Sequence, residues 1–418
     1  MDTRIEKCNS SGAIEAAAEI LQKGGLVAFP TETVYGLGGD ALDPSASARI
    51  YAAKGRPSDN PLIVHIADTR DVWELAETVP ETAVLLMEAF WPGPLTIILK
   101  KKPVVPDATT GGLSTVAIRM PSHPAAMEMI RQSGVYVAAP SANRSGRPSP
   151  TTAEHVAEDL SGEIDMILDG GPVGIGIEST IVDLTGDTPM ILRPGFITRE
   201  MLSAIVGDVE LDPSLVELEK EVDGTGHTAD AQNVGDATHG QGEDCHATAD
   251  THTRGAATAS TVPTEQTAVA SGQETPAVDT AMQHPKAPGM RYTHYAPHGT
   301  LSIVTDREHP EQITEAVTAR ILELTREALE NGKETAVLTT GGTASAYAAF
   351  DTNPHFHRIE LGDTGDGQTV AAHLYGALRT CDALGCEVIY SENFRRDALG
   401  SAIMNRLIKA AGHRVITV

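Results

Sequence analysis

From Glu221 to Pro285 the chain carries no aromatic residue, no Leu and no Ile, and its only basic residue is Arg254. Ala, Thr, Gly, Asp and Gln dominate the tract. Such a stretch cannot bury enough apolar surface to offset the entropy of ordering it, so it reads as a disordered acidic linker. The break therefore calls for two folding units. A chain of 418 residues favours the same division, because single cores stop growing near ~250–300 residues. His227, His239, His246, His252 and Cys245 lie in the tract. A metal-binding segment is conceivable there, but the spacings are irregular and a solvated linker fits them better.

Before the break, helices and strands mix. Ile14, Ala17, Ala18 and Leu21 recur at helical spacing between Ser10 and Lys23, and Gly24-Gly25 end that helix. Leu26-Val27-Ala28-Phe29 is a short β-prone run that stops at Pro30, which cannot donate to a ladder. Thr31, Glu32, Thr33 and Tyr35 follow on a loop, and Gly36, Gly38 and Gly39 allow a tight turn or a close approach to a ligand. That is how open α/β sheets build ligand sites, with polar groups carried to a strand's C-terminal edge. Pro44 to Lys54 reads as a helix with proline in its first turn. Lys54 and Arg56 then bracket Gly55, with Asp59-Asn60-Pro61 next. Two cations on a rigid turn beside an amide suit an oxyanion such as phosphate or carboxylate.

Further strands are predicted at Leu62–Ala67, Leu95–Lys101, Thr115–Met120, Val135–Ala139, Met166–Leu168, Thr180–Leu184 and Met190–Leu192, with helices between them. The pattern implies a twisted, mixed α/β sheet. After the break, strands at Leu301–Val304, Thr335–Leu338, Phe356–Leu361 and Val388–Tyr390 alternate with helices, which implies a parallel, Rossmann-like sheet. No G-x-G-x-x-G follows its first strand, so a dinucleotide role lacks support. The chain also has no P-loop, no G-x-S-x-G elbow and no H-E-x-x-H, which argues against a serine hydrolase or a zincin.

Lys and Arg number 31 against 57 Asp and Glu, a formal net charge of −26. Bulk nucleic acid should be repelled at long range, so any RNA contact must be local or made by a partner. Cys8, Cys245, Cys381 and Cys386 fit no zinc ribbon or redox pair and read as reduced thiols. No apolar run approaches the ~18–20 residues of a membrane span, and MDTRIEKCNS has no apolar core of a secretory signal. A cytoplasmic protein is expected.

The segments GLVAFPTETVYGLGG (Gly25 to Gly39) and AKGRPSDNPLIVH (Ala53 to His65) resemble the signature of the Sua5/YrdC/YwlC family, threonylcarbamoyl-AMP synthases of a tRNA-modification pathway. The resemblance continues through Ser141-Ala142-Asn143 and IESTIVDLTG (Ile177 to Gly186) to LRPG (Leu192 to Gly195). It covers the first half of the chain strongly. The last third resembles the Sua5-type C-terminal domain more weakly. It implies a YrdC-like catalytic domain at 10–208 and a low-complexity acidic linker at 209–287. A tyrosine-containing lid segment at 288–299 and a smaller Sua5-type α/β domain at 300–418 follow. The tract before Met290 looks longer than the family's usual linker, which costs little because closure entropy grows slowly with length.

The reaction implied by the resemblance joins L-threonine, bicarbonate or CO2, and ATP into threonylcarbamoyl-AMP and releases pyrophosphate. It needs alignment and charge neutralisation, with no protein nucleophile. By resemblance, Thr33, His65, Arg119, Ala139 and Ser179 are threonine-binding, with Arg119 facing the carboxylate. Arg56, Asn60, Thr115, Ser141, Ser149, Arg193 and Tyr295 are ATP-binding, Tyr295 folding back over the nucleotide. Lys54, Arg56, Ser141 and Asn143 are the catalytic set. Taken residue by residue, strand-end Ser and Asn also make local turns, Arg119 could cross the sheet edge to an acid, and Tyr295 could pack between domains. Mg²⁺ would bridge triphosphate oxygens without dedicated protein ligands. The product would pass to a tRNA threonylcarbamoyl-transferase complex, and stable direct tRNA binding is not expected. Two alternatives are an RNA-binding or ribosome-maturation module, against which the charge weighs, and a carbamoyl-transferring hydrogenase-maturation factor. The latter lacks support because zinc-finger cysteine pairs are missing.

Overall fold

The structure is a computed structural model and describes residues 2–222, 285–288, 295–363, 365–394 and 398–418. The expected linker's histidines and Cys245 lie outside these residues, as do 289–294 of the expected lid.

Eleven strands form the first sheet: β1 (Arg4–Lys7), β2 (Val27–Phe29), β3 (Gly36–Asp40), β4 (Ile63–His65), β5 (Leu95–Lys100), β6 (Thr115–Arg119), β7 (Val137–Ala139), β8 (Met166–Asp169), β9 (Thr180–Asp183), β10 (Met190–Arg193) and β11 (Glu210–Leu211). Their order is β1-β8-β2-β3-β7-β4-β6-β5-β9-β10-β11. Parallel and antiparallel neighbours mix, as expected. Period-two alternation on β2 sends Val27 and Phe29 to one face, under the helices Ala13–Gln22 and Pro124–Ser133. Ala28 joins the larger core on the other face, with Tyr35, Leu37 and Ile50.

The second sheet holds β12 (Thr300–Thr305), β13 (Thr335–Thr339), β14 (Phe356–Glu360), β15 (Val388–Glu392) and β16 (Val415–Thr417) in the order β14-β13-β15-β12-β16. Every pairing in it is parallel. Both lobes belong to one compact unit spanning 1–227 and 284–418. Val34 and Ile177 of the first lobe share a buried apolar cluster with Tyr295, Leu374 and Tyr375.

Three features depart from the expected outline. β1 precedes the expected domain start at residue 10 and pairs in parallel with β8. β11 and the helix Pro213–Val222 extend past 208 into what was expected to be linker, and β11 pairs with β10. The glycine-rich run Gly36–Asp40, expected to turn tightly or to approach a ligand closely, is a strand whose first residue, Gly36, lines the cleft described below. Its glycines serve packing: a Cβ at Gly38 would lie 2.7 Å from Val137 Cγ1 and 2.9 Å from Phe29 Cε1. At the seam between the lobes, a Cβ on Gly176 would collide with the backbone of Ala371 and Ala372 in the helix Gly367–Ala383, and its φ of +82° also disfavours side chains.

Gly38→Val should lower stability by ~1–3 kcal/mol, the usual cost of overpacking a filled core. Thermal unfolding of the purified chain measures it, and an unchanged midpoint would show that β3 has room to spare.

Candidate active site

The first lobe opens into a cleft whose walls come from strands of both directions. Loops leaving β2 and β7 supply Thr31 to Val34 and Pro140 to Asn143. His65 of β4 and Arg119 of β6 come from strands that run opposite to β7 and stand side by side in register. The cleft is therefore built across a mixed sheet, which differs from the one-edge crevice of a parallel sheet.

One wall is a connected set of buried polar groups. Arg119 donates to Thr33 Oγ1 at 3.0 Å and to the Gly93 carbonyl at 3.3 Å, and its Nη2 pairs with Glu32 Oε1 at 2.7 Å. The acid that Arg119 could reach across the sheet is thus Glu32, while the guanidinium still borders the cleft. Thr31 and Thr33 hydroxyls lie 2.9 Å apart. Ser179 Oγ is 2.8 Å from Thr96 Oγ1 and accepts from Arg193 Nη2 at 3.2 Å. Arg193 also donates to the Ser179 carbonyl at 3.0 Å and to that of Pro288 at 3.3 Å. Burial pulls its guanidinium below the usual range, against the opposing effect of Glu178.

His65 is buried beside Arg119, with its Nδ1 3.1 Å from the Ile63 carbonyl. Burial, and then the charge of Arg119, push its imidazole down to about 3. The ring is neutral near pH 7, and the backbone carbonyls of Ile63 and Val137 face it. Phe29 packs edge-on against it at 6.0 Å.

Across the cleft lies a second set. Lys54 ends the helix Pro44–Lys54 and is buried. Its Nζ donates to the Ser141 carbonyl at 2.5 Å, to the Asn143 carbonyl, and to Asn143 Oδ1 at 3.4 Å. All three ammonium protons are used, so Lys54 pins the Ser141–Asn143 loop. Burial, then Arg56, push the ammonium well below the ordinary lysine value. Ser141 Oγ donates to Asn143 Oδ1 at 2.6 Å. Gly55, at φ +60°, caps the helix and turns the chain to Arg56, which donates to the carbonyls of Asn60 (3.3 Å) and Pro61 (3.2 Å). Burial lowers Arg56 to about 10. Arg56 Nε and Asn60 Oδ1 are buried with no hydrogen-bond partner among the described residues.

Tyr295 closes the cleft together with Pro288. Its φ of 69° is a left-handed conformation that a bulky residue rarely adopts, and Ala296 N anchors it by donating to the Gly146 carbonyl at 3.0 Å. Of the expected site residues, Thr33, Lys54, Arg56, His65, Arg119, Ala139, Ser141, Asn143, Ser179, Arg193 and Tyr295 line this cleft. Asn60 is buried, is not among the lining residues, and accepts from Arg56 through its carbonyl. Ser149 is fully buried and donates to Glu178 Oε1 at 2.6 Å. Thr115 begins β6 opposite Lys100 and is not among the lining residues. Glu178, missed from the sequence, lines the cleft within the quoted run IESTIVDLTG. An acid beside an oxyanion site has no local signature, because the guanidinium that pairs with it, Arg406, lies 228 residues away.

Chemically the arrangement gathers four cationic side chains, hydroxyls and a neutral imidazole. Among the described lining residues, none pairs a hydroxyl or thiol with a histidine. The cleft can hold anions and orient them.

The family model described as telomere recombination matches residues 19–195, and that described as threonylcarbamoyl-AMP synthase, C-terminal domain, matches residues 258–412. The chain is 41% identical over 417 residues to the threonylcarbamoyl-AMP synthase of Bacillus subtilis, covering 100% of this chain and 98% of that protein. To the threonylcarbamoyl-AMP synthase of Pyrococcus abyssi it is 41% identical over 405 residues, covering 97% and 96%. The crystal structure of P. abyssi Sua5 complexed with L-threonine aligns with a TM-score of 0.76 at 38% identity, covering 100% of this chain and 99% of that one.

The neutral buried His65 has a consequence for acid stability. The unfolded imidazole takes a proton near ~6.5, the folded one only near 3. Between those values the unfolded state binds more protons, so this stabilisation is complete above ~6.5 and is lost as pH falls toward 3. His65→Gln should flatten that part of the stability profile, as read by chemical denaturation at successive pH values. An unaltered acid slope would place the proton uptake elsewhere.

Proposed function

The chain belongs to the Sua5/YrdC family and is a threonylcarbamoyl-AMP synthase, an enzyme of the nucleotidyl-transferring kind; we propose that it joins L-threonine, bicarbonate or CO2, and ATP in the first-lobe cleft. The neutral threonine amine adds to CO2, and its released proton goes to solvent. The carbamate oxygen then bonds to the α-phosphorus of ATP, while the bond to the β-phosphate oxygen breaks and pyrophosphate leaves.

The observation that carries this placement is the convergence of Lys54, Arg56, Arg119 and Arg193 on one cleft. Threonine is assigned to the wall of Thr33, His65, Arg119, Ala139 and Ser179. There the Arg119 guanidinium meets the carboxylate while remaining tied to Glu32. ATP is assigned to the wall of Arg56, Ser141 and Arg193 under Tyr295, together with Asn60, Ser149 and Thr115, which do not line the cleft. The unpartnered Arg56 Nε and Asn60 Oδ1 support that assignment. Lys54 acts by fixing the Ser141–Asn143 loop and adding positive potential, and Arg56 and Arg193 offset charge building on the phosphoryl oxygens. Alignment of carbamate and α-phosphorus supplies the remainder, as effective concentration.

Mg²⁺ would travel with the triphosphate. Among the described residues no group of three His, Cys, Asp or Glu side chains is placed to hold a metal, so the phosphate oxygens would be its ligands. The net charge of −26 fits release of the adenylate to a separate tRNA-modifying complex better than stable tRNA binding by this chain. No described helix is long and apolar enough to cross a membrane.

Purified chain should release pyrophosphate from ATP and Mg²⁺ only when threonine and bicarbonate are both present; turnover that ignores threonine contradicts the reaction. Arg56→Ala should lower turnover by roughly 10²-fold, as for loss of a charge-stabilising donor. Near-normal rates in that variant would remove Arg56 from the site.

A further inference from the structure

Among the described lining residues, the buried carboxylate of Glu178 is held from the other lobe. Tyr375, on the helix Gly367–Ala383, donates its hydroxyl between the two oxygens of Glu178, at 3.0 and 2.9 Å. Arg406, on the helix Ala398–Ala410, donates from Nε to Glu178 Oε2 at 3.1 Å. Its Nη2 donates to the Glu178 carbonyl at 3.2 Å, and its Nη1 to the carbonyl of Pro194. Glu178, Tyr375 and Arg406 are 6%, 0% and 1% exposed. Gly176 lets the two backbones meet two residues upstream. Nearby, Arg379 donates to Asp159 at 2.8 Å and to the Pro148 carbonyl at 2.6 Å, fixing the residue just before Ser149.

We infer that Tyr375 and Arg406 are positioning residues for the nucleotide, acting through Glu178 on Ser149 and on the Ser179–Arg193 pair. This rests on the nucleotide placement proposed above. An unneutralised carboxylate in a phosphate-binding cleft would oppose its ligand, and Arg406 supplies the compensating charge from outside the cleft. Burial alone would raise the Glu178 carboxyl, but Arg406, then Arg193 and the Ser149 hydroxyl, outweigh it and hold the group down at about 2. Glu178 therefore stays an acceptor for the buried Ser149 hydroxyl, which leaves the Ser149 oxygen to accept from a nucleotide placed as proposed above. The backbone hold on Glu178 also sets the adjoining Ser179, which carries Arg193. The Tyr295 ring packs tilted against that of Tyr375, with centroids 5.0 Å apart.

The test is threonine-dependent pyrophosphate release by the full chain, with separate KM values for ATP and threonine, in Tyr375→Phe, Arg406→Lys, Ser149→Ala and the Tyr375→Phe/Ser149→Ala double variant. Thermal midpoints are measured beside them. Tyr375→Phe and Arg406→Lys should each raise the ATP KM about tenfold, as for a lost hydrogen bond to a charged group. Threonine KM should rise by a smaller factor, at most about threefold, because only Ser179 ties the device to the threonine wall. The double variant should raise the ATP KM less than the product of the two single effects, because both act through one carboxylate. If Ser149→Ala raises the ATP KM while Tyr375→Phe and Arg406→Lys do not, the inference falls and the nucleotide placement stands. An unchanged ATP KM in Ser149→Ala overturns both. Lowered midpoints with both KM values rising together would make the contact a matter of stability alone, and would also overturn it.

Discussion

Four cationic side chains sit out of water around one cleft, and desolvating them is the cost that the surrounding chain is arranged to meet. An isolated buried charge is prohibitive unless hydrogen bonds or counter-charges replace its hydration. Each cation here has a separate solution. Lys54 is held by the carbonyls of a neighbouring loop, Arg56 by those of its own turn, and Arg119 by Glu32 and Thr33. Arg193 has the backbone and hydroxyl of Ser179. These acceptors are mostly neutral dipoles. The cleft consequently keeps a net positive character that full ion pairing would have cancelled, even though the chain as a whole is strongly acidic. Attraction for phosphate is then a short-range property, screened beyond about 8–10 Å at physiological salt.

The core strands of the first lobe and most of the cleft could be read from the sequence because their signals are local. An apolar run ended by proline, a polar loop, and a helix closing on Lys54-Gly55-Arg56 announce themselves within a few residues. What escaped was fixed by distant partners. β1 is mostly exposed and mostly polar, so nothing apolar marks it until it meets β8. β3 was hidden by its glycines, which look like a turn until Phe29 and Val137 are seen to fill the space where side chains would be. The stretch past residue 208 was given to the linker because its strand is two residues long. Glu178 looked like one more acid in a motif, and only Tyr375 and Arg406 give it a role.

That dependence bears on how the two lobes divide the work. The second sheet is all parallel and has a core of its own, yet two of its helices send side chains to a carboxylate of the first lobe. Tyr295 belongs to the same contact, between the Tyr375 ring and the cleft. Its left-handed backbone is accompanied by that ring contact and by the hydrogen bond from Ala296 N to the Gly146 carbonyl.

Gly176 sets the gauge of this seam. With a hydrogen in place of a methyl, the loop before Glu178 lies directly against a helix backbone. Any side chain there would act as a wedge, driving the helix away and drawing Tyr375 out of reach of its carboxylate. The spacing of the lobes is thus written in the smallest residue available, and chemistry in one lobe inherits its tolerances from a missing carbon atom at the boundary with the other.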